Sequence, residues 1–236
     1  MKQDSLYIVM PAYNEEANIE KVIEQWYPVV ERTGENSRLV IINDGSKDGT
    51  FEKIRDCEKR CPKLIGIDKT NEGHGATVLR CYQYAIEEGA DYVFQTDSDG
   101  QTLPEEFEQF WEHRKQCGLL IGHRRFRKDG FSRIFVTNVL KLVLFATFRV
   151  WIKDANTPYR LMRTCELKEV IKEIPEGFHL SNVLVTVIYE KRRLGVQYYP
   201  ITFRPRQGGK NSINMKRIIR IGKKAWSDFR KISRTI

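Results

Sequence analysis

At 236 residues, with 41% hydrophobic and 30% charged residues, the chain is long enough for one large globular domain, and its composition excludes the disordered and disulfide-stapled classes. No run reaches the roughly 18 uninterrupted apolar residues of a spanning helix, and residues 1–5 pass straight into an apolar strand, so neither a membrane span nor a signal peptide is expected. The formal charge of +9 is uneven: from Arg204 onward eleven Lys or Arg face a single acid, Asp228, which points to an anionic partner.

Apolar runs alternate with helical periodicity through the first half, which predicts successive βα units and a mainly parallel sheet. Leu6-Tyr7-Ile8-Val9-Met10 is the first strand; Asn14-Glu15-Glu16 then opens a helix with apolar positions Ile19, Val22, Ile23, Trp26, Tyr27 and Val30. A second strand at residues 39–42 runs into Asn43-Asp44-Gly45-Ser46-Lys47-Asp48-Gly49-Thr50, a turn rich in glycine and capping side chains, before a helix through Phe51, Ile54 and Cys57. A third strand at 64–67 precedes Asn71-Glu72-Gly73-His74-Gly75 and a helix through Val78, Leu79, Tyr82, Ala85 and Ile86. Each unit repeats one arrangement, in which a strand's carboxyl end meets a polar loop and then a helix N-terminus, where backbone N–H groups favour phosphate. None of these loops is a G-x-G-x-x-G or Walker A sequence, which argues against a dehydrogenase or a P-loop enzyme. The five cysteines, Cys57, Cys61, Cys81, Cys117 and Cys165, lack the paired spacing of zinc sites and read as reduced thiols of a cytoplasmic protein.

The fourth strand, Tyr92-Val93-Phe94, delivers Asp97-Ser98-Asp99-Gly100-Gln101. Two carboxylates one residue apart at a strand's carboxyl end suit Mg²⁺ or Mn²⁺, which take oxygen ligands and commonly only one or two carboxylates, with a nucleotide's diphosphate completing the shell. Together with Pro11-Ala12-Tyr13-Asn14-Glu15-Glu16, Asn43 to Thr50 and Asn71 to Gly75, in that order, this stretch resembles the family 2 inverting glycosyltransferases of the glycosyltransferase A fold. The resemblance implies that Pro11, Ala12, Tyr13, Glu15 and Asp44 hold the nucleobase and ribose of a UDP- or GDP-linked sugar. It places Gly73 near the diphosphate and Asp97, Asp99 and Gln101 around the metal. Asn43 departs from the pattern, since relatives often carry a second Asp there.

Residues 105–116 have helical spacing, with Phe107, Phe110, Trp111 and Arg114 on one face, and a strand at 119–121 leads to Gly122-His123-Arg124-Arg125. In the subgroup typified by dolichol-phosphate mannosyltransferase, a Gly-x-Arg and a later Arg-x-x-x-Ser/Thr bind the acceptor phosphate; by that likeness Arg124, and Arg133 with Thr137, take those roles. Guanidinium forks suit phosphate oxygens. Residues 131–151 are the most apolar region but carry Arg133, Asn138, Lys141 and Arg149, which fits an interfacial helix, a core helix or a hairpin. The loop from Asp154 through Arg160 to Met162 resembles the Asp-containing loop of the same subgroup, which implies Asp154 near the reacting sugar and Arg160 near phosphate.

Hydroxyl-glycosylating relatives often place a carboxylate at the start of the helix that here begins near Phe178-His179-Leu180-Ser181-Asn182, yet no Asp or Glu lies between Phe178 and Tyr189. A phosphate acceptor is already ionised and needs no strong base; His179 is the alternative base for a hydroxyl acceptor. A strand at 196–203 precedes Arg204-Pro205-Arg206-Gln207-Gly208-Gly209-Lys210-Asn211-Ser212, similar to the family's loop over the diphosphate, with Arg206 as its binding residue. From Ile213 the pattern is a basic amphipathic helix with Trp226, suited to an anionic membrane surface rather than to nucleic acid.

The expectation is an α/β glycosyltransferase A fold with a nucleotide-sugar-binding half at 1–122, an acceptor-binding half at 123–211 and the basic helix at 212–236. Its expected activity is metal-dependent transfer of a sugar to a polyprenyl phosphate, with catalysis by Asp99, Asp154, Arg124 and His179, peripherally at the cytoplasmic face of a membrane. The rivals are a family 2 enzyme acting on a saccharide hydroxyl, a nucleotidyltransferase, and a non-catalytic nucleotide-binding protein. The sugar, the lipid length and the oligomeric state are open.

Overall fold

The computed structural model describes residues 3–124, 131–175, 177–205 and 226–233, and for 131–138 the backbone alone. In chain order the elements are β1 (Leu6–Ala12), α1 (Ile19–Thr33), β2 (Arg38–Asp44), α2 (Thr50–Glu58), β3 (Leu64–Lys69), α3 (His74–Glu87) and β4 (Tyr92–Thr96). A 3-10 turn (Pro104–Glu106), α4 (Phe107–Glu112), β5 (Leu119–Arg124), α5 (Phe131–Phe148), β6 (Tyr159–Arg163), α6 (Thr164–Ile171), α7 (Ser181–Lys191) and β7 (Val196–Ile201) follow. A short helical stretch at 226–232 ends the described chain.

The strands form one sheet in the order β3-β2-β1-β4-β6-β5-β7. All pairings are parallel except those of β6, which runs antiparallel between β4 and β5. Alternation along β1 shows how the layers arise. Leu6, Ile8 and Met10 join Ile19, Val22, Trp26, Ile54 and Phe107 on the face covered by α1, α2 and α4. Tyr7 and Val9 join Val78, Tyr82, Val183 and Val187 on the face covered by α3, α5, α6 and α7. Because helices cover both faces, β1 and β2 read as continuous apolar runs rather than alternating ones.

Under β4 and β6 an aromatic cluster fixes the middle of the sheet. The Phe94 ring meets Tyr159 at 4.7 Å and Phe107 at 4.9 Å, both edge to face, and Trp26 lies 5.3 Å from Phe94. Such pairs contribute about 0.5–1.5 kcal/mol each beyond the area they bury.

Two expectations from sequence need correction. Residues 159–163, read as part of a loop, form β6: Arg160 breaks the apolar pattern of the strand, but the structure buries it completely. The helix at 105–116 is shorter, a 3-10 turn beginning at Pro104 followed by α4, which ends at Glu112. By contrast the helix expected near Phe178 is present as α7, and it is buried on every residue from Ser181 to Tyr189 because α3, α5, α6 and β7 all pack against it.

The sheet order reverses direction between β1 and β4: β2 and β3 extend to one side of β1, and β4 lies on the other. In open α/β sheets the crevice outside the carboxyl ends of the strands at such a switch point is where ligands bind. The start of α7 closes in on this edge through Gly75. A Cβ there would stand 2.4 Å from the Phe178 carbonyl oxygen and 2.6 Å from that of His179, both backbone atoms with no room to yield. Ser181 Oγ adds a hydrogen bond to the Gly75 carbonyl at 2.9 Å. Gly75→Ala is therefore expected to lower stability by about 2 kcal/mol, read from the urea unfolding midpoint, while Gly89→Ala, which meets no neighbouring atom, serves as the reference for a purely conformational cost.

Candidate active site

The switch-point crevice is assembled by loops that hydrogen-bond to each other and to the ends of the strands. Asn14 has a left-handed backbone, φ +54°; its N–H donates to Ser46 Oγ at 2.9 Å and its Oδ1 accepts from Lys47 N–H at 2.9 Å. Glu16 N–H donates to Asp48 Oδ2, and Gly49 N–H to Glu16 Oε2. The β1–α1 and β2–α2 loops are thereby one unit. Pro11 and Ala12 are buried at the end of β1, whereas Tyr13 is 43% exposed at the mouth of the crevice.

Asp44, at the end of β2, ties this unit to the β3–α3 loop. Its carboxylate accepts from Lys69 Nζ at 2.6 Å and from the N–H groups of Glu72 and Gly73, each at 2.9 Å, while its carbonyl accepts from Asn71 Nδ2. Burial works against the charged form, but the hydrogen bonds from Lys69 and the Glu72 N–H outweigh it and hold the carboxyl below its ordinary pKa. Asp44 thus shapes the loop before α3. Gly73 takes φ +92° with no atom within 4 Å of the place where a Cβ would stand, so open space adjoins the N-terminus of α3, where the helix has no side-chain cap.

Asp97 and Asp99 follow β4 on the other side of the switch point. Ser98 Oγ, between them, donates to the Pro11 carbonyl at 2.8 Å and so locks the acidic loop across to β1. Asp99 Oδ1 accepts from the Gln101 N–H at 3.1 Å. Asp97 accepts from Gln95 Nε2 at 3.2 Å. Its pKa is pushed up to about 6, first by burial; His74 opposes the shift, Asp99 and Glu15 add to it, and Arg124 opposes it in turn. Glu15 is itself buried, its Oε2 accepting from Asn18 Nδ2 at 2.8 Å.

The crevice therefore concentrates three carboxylates where burial already penalises charge, which is the electrostatic setting that a cation relieves. Among the described residues no group of three His, Cys, Asp or Glu is arranged to hold a metal alone. The carboxylates of Asp97 and Asp99 are oxygen donors of the kind a hard divalent ion takes, with diphosphate oxygens able to complete its shell. Gln101 Nε2 donates to the Arg204 carbonyl at 2.8 Å, and the Arg204 N–H returns to the Gln101 carbonyl at 2.8 Å, which fastens the segment after β7 to the acidic loop.

The acceptor-side residues meet in part. Arg124, at the end of β5, donates from Nε to Asp154 Oδ2 at 3.2 Å and from Nη2 to Oδ1 at 3.4 Å, with its guanidinium 5.0 Å from the centre of the Phe203 ring. Two residues read separately from sequence are thus one pair. His179 is exposed in the turn before α7, beside the start of α3. Arg133 and Thr137 fall one turn apart on α5, but their side chains lie outside the described residues, as do Arg125, Arg127, Arg206 to Ser212 and the basic stretch up to Ala225. Arg160 is not at the crevice surface. It is fully buried and donates to the carbonyls of Thr157, Asn182 and Ala155 and to Thr186 Oγ1, which commits its fork to protein oxygens and leaves no face for a phosphate.

Sequence reasoning did not single out His74 or Gln95. His74 opens α3 directly after Gly73, close enough to Asp97 to lower its pKa. The available signal was its place in the Asn71 to Gly75 loop; Gln95 gave none, since one amide in an apolar strand has no characteristic spacing.

A family model described as Glycosyl transferase family 2 matches residues 7–166. An undecaprenyl-phosphate 4-deoxy-4-formamido-L-arabinose transferase of Aeromonas hydrophila is 32% identical over 159 residues, 66% of this chain and 48% of that protein. A UDP-N-acetylglucosamine–dolichyl-phosphate N-acetylglucosaminyltransferase of Methanococcus voltae is 22% identical over 221 residues, 85% of this chain and 86% of its own. The chain thus spans about half the length of the first relative and most of the second. Among solved structures, glucosyl-3-phosphoglycerate synthase from Mycobacterium tuberculosis, in complex with Mn²⁺, UDP-glucose and glycerol 3-phosphate, aligns with a TM-score of 0.70 at 16% identity over 98% of this chain and 80% of that one. That likeness establishes the glycosyltransferase A architecture.

The Asp97 shift sets a pH dependence. A proton on Asp97 competes with a cation, so Mn²⁺ affinity is expected to be full above about pH 7 and to fall through pH 6, by up to ~10-fold per unit on the acid side. Calorimetric titration of Mn²⁺ in the presence of a nucleoside diphosphate between pH 5 and 8 reads this directly; a flat profile would remove Asp97 from the ligand set.

Proposed function

Because the chain belongs to glycosyl transferase family 2, we propose that it transfers a sugar from a nucleoside diphosphate to a polyprenyl phosphate, with inversion, at the surface of a membrane. The observation that carries the donor half is the Asp97–Asp99 pair, set at the switch point with Glu15 near enough to oppose its ionisation. A divalent cation, Mg²⁺ or Mn²⁺, bound by those carboxylates would supply charge neutralisation for the diphosphate as it leaves. The Mycobacterium neighbour binds Mn²⁺ with UDP-glucose and the Methanococcus relative is named for a UDP-sugar, which favours uridine over guanosine as the first donor to test.

The chain's own residues divide the work. Tyr13 and the loop latched by Asp44 would receive the nucleoside, and the uncapped N-terminus of α3 would offer N–H groups beside Gly73 to the diphosphate. Arg124, oriented by Asp154, would meet an anionic acceptor, and Arg133, Thr137 and Arg206 complete the reading by resemblance. An acceptor phosphate oxygen would attack the anomeric carbon on the face opposite the diphosphate, forming one C–O bond as the other breaks. No proton has to be removed from an ionised phosphate, which accords with the lack of any carboxylate between Phe178 and Tyr189.

The membrane part rests on α5. Among the described residues no helix is long and apolar enough to cross a membrane. Yet Val139, Leu142 and Phe145 on α5, and Trp151 just after it, are 41%, 61%, 43% and 64% exposed, while Leu144 and Phe148 on the helix are buried. From Phe131 to Lys153 there are four cations and no acid. An exposed apolar stripe flanked by cations alone suits an anionic leaflet, entered by the rings and held by Arg149 and Lys153 at the headgroups. The basic tail would add to this at the cytoplasmic face.

Incubating the protein with UDP-[³H]sugars and undecaprenyl or dolichyl phosphate in anionic vesicles tests the proposal. Labelled lipid is expected in the presence of Mn²⁺ or Mg²⁺, with Asp99→Ala reducing it by about 100-fold or more. Label appearing on a saccharide hydroxyl instead would discard the lipid acceptor, and release of pyrophosphate from a nucleoside triphosphate would discard the donor.

A further inference from the structure

Behind Asp97 lies a chain of hydrogen-bonded side chains that runs into the core. Gln95, two residues earlier on β4, is fully buried and donates from Nε2 to Asp97 Oδ1 at 3.2 Å. Its Oε1 accepts from Asn182 Nδ2 at 3.0 Å, and Asn182 Oδ1 accepts from Tyr82 Oη at 2.7 Å. Tyr82 is 0% and Asn182 4% exposed, so water does not compete for these bonds. The chain runs from the third turn of α3, through the first turn of α7, to the acidic loop.

The direction of the bonds is forced from the Asp97 end. A carboxylate only accepts, so Gln95 must present its Nε2; its Oε1 then requires a donor, which is Asn182 Nδ2. Asn182 Oδ1 in turn requires a donor, and the Tyr82 hydroxyl supplies it. Reversing either amide would set two acceptors face to face at one of the two ends of Gln95. The far anchor is equally fixed. Arg160, which pairs with Gln95 across the β4–β6 ladder, donates to the Asn182 carbonyl at 2.9 Å and holds the first turn of α7 in place.

A core does not need such a chain. The surroundings are apolar, with Val78, Val93, Val183 and Val185 in the same cluster, and replacing both partners of a buried hydrogen bond by apolar groups of like shape is nearly neutral for stability. What the chain supplies is a donor at Asp97 that cannot swing away. Carboxylates that ligate metals depend on such partners for their orientation, and losing one typically weakens metal binding by about 10–100-fold.

We propose that Gln95, Asn182 and Tyr82 are positioning residues that orient the Asp97 carboxylate for the cation, so that α3 and α7 set the metal affinity from inside the core. This rests on the reading of Asp97 as a cation ligand.

The test measures Mn²⁺ affinity by electron paramagnetic resonance of the free ion at saturating UDP, for the whole chain and for Gln95→Met and Tyr82→Phe, alongside each melting temperature. Gln95→Met is expected to weaken Mn²⁺ by about 10-fold and Tyr82→Phe by less, in the same direction, with transfer restored in both when Mn²⁺ is raised to saturation. A purely structural role would lower the melting temperature and leave Mn²⁺ half-saturation where it was, which overturns the proposal. If Gln95→Met does not fold, Tyr82→Phe, which loses one hydroxyl, decides alone by the same criterion. A wild-type chain that binds no Mn²⁺ with UDP defeats the cation reading and the positioning role together, whereas normal wild-type binding with unshifted variants defeats the positioning role alone.

Discussion

Carboxylates gathered at the end of a buried strand repel one another, and the loop after β4 sets Asp97 and Asp99 one residue apart beside the buried Glu15. Asp97 shows this in its raised pKa, with Asp99 and Glu15 both adding to the effect of burial. Everything around it is arranged to hold those acids where they are rather than to let them turn outward: Ser98 clamps the loop to Pro11, Gln95 holds Asp97 from below, and Gln101 clips the loop to the segment after β7. Such an arrangement costs stability in isolation, and bound positive charge relieves it.

The remainder of the site follows from the same concern for fixed geometry. The loops after β1, β2 and β3 would each be free if they hydrogen-bonded only to water, but Asn14, Glu16 and Asp44 stitch them into one rim. At the end of β5 the Arg124–Asp154 pair, with the Phe203 ring against the guanidinium, likewise has a set orientation. Arg160 plays the corresponding part within the core, joining the loop that carries Asp154 to the start of α7 through the carbonyls of Ala155, Thr157 and Asn182. The two halves of the site therefore share one buried framework.

Much of this was legible in the sequence because it is local. Strand periodicity located β1 to β4, and the turn residues of Asn43 to Thr50 and Asn71 to Gly75 marked the loops that line the crevice. The spacing of Asp97 and Asp99 marked the acidic pair, and the family resemblance is what the proposed roles rest on. What could not be read is non-local. The antiparallel insertion of β6 between β4 and β5 depends on which strands pair, and α6 has too short an apolar pattern to stand out. Arg160 looked like a ligand-binding cation because a sequence does not reveal that four carbonyl and hydroxyl oxygens from separate segments converge on it. Tyr82 and Asn182, 100 residues apart, join Gln95 only through the packing of α3 on α7.

The central claim is that Asp97 and Asp99 hold a divalent cation against the diphosphate of a nucleotide. Anomalous diffraction at the manganese edge from crystals grown with Mn²⁺ and UDP tests it most directly. The account predicts a single strong peak about 2.1 Å from carboxylate oxygens of this pair and bonded to the diphosphate. A nucleotide bound in the crevice with the manganese elsewhere, and both carboxylates without a metal contact, would contradict it.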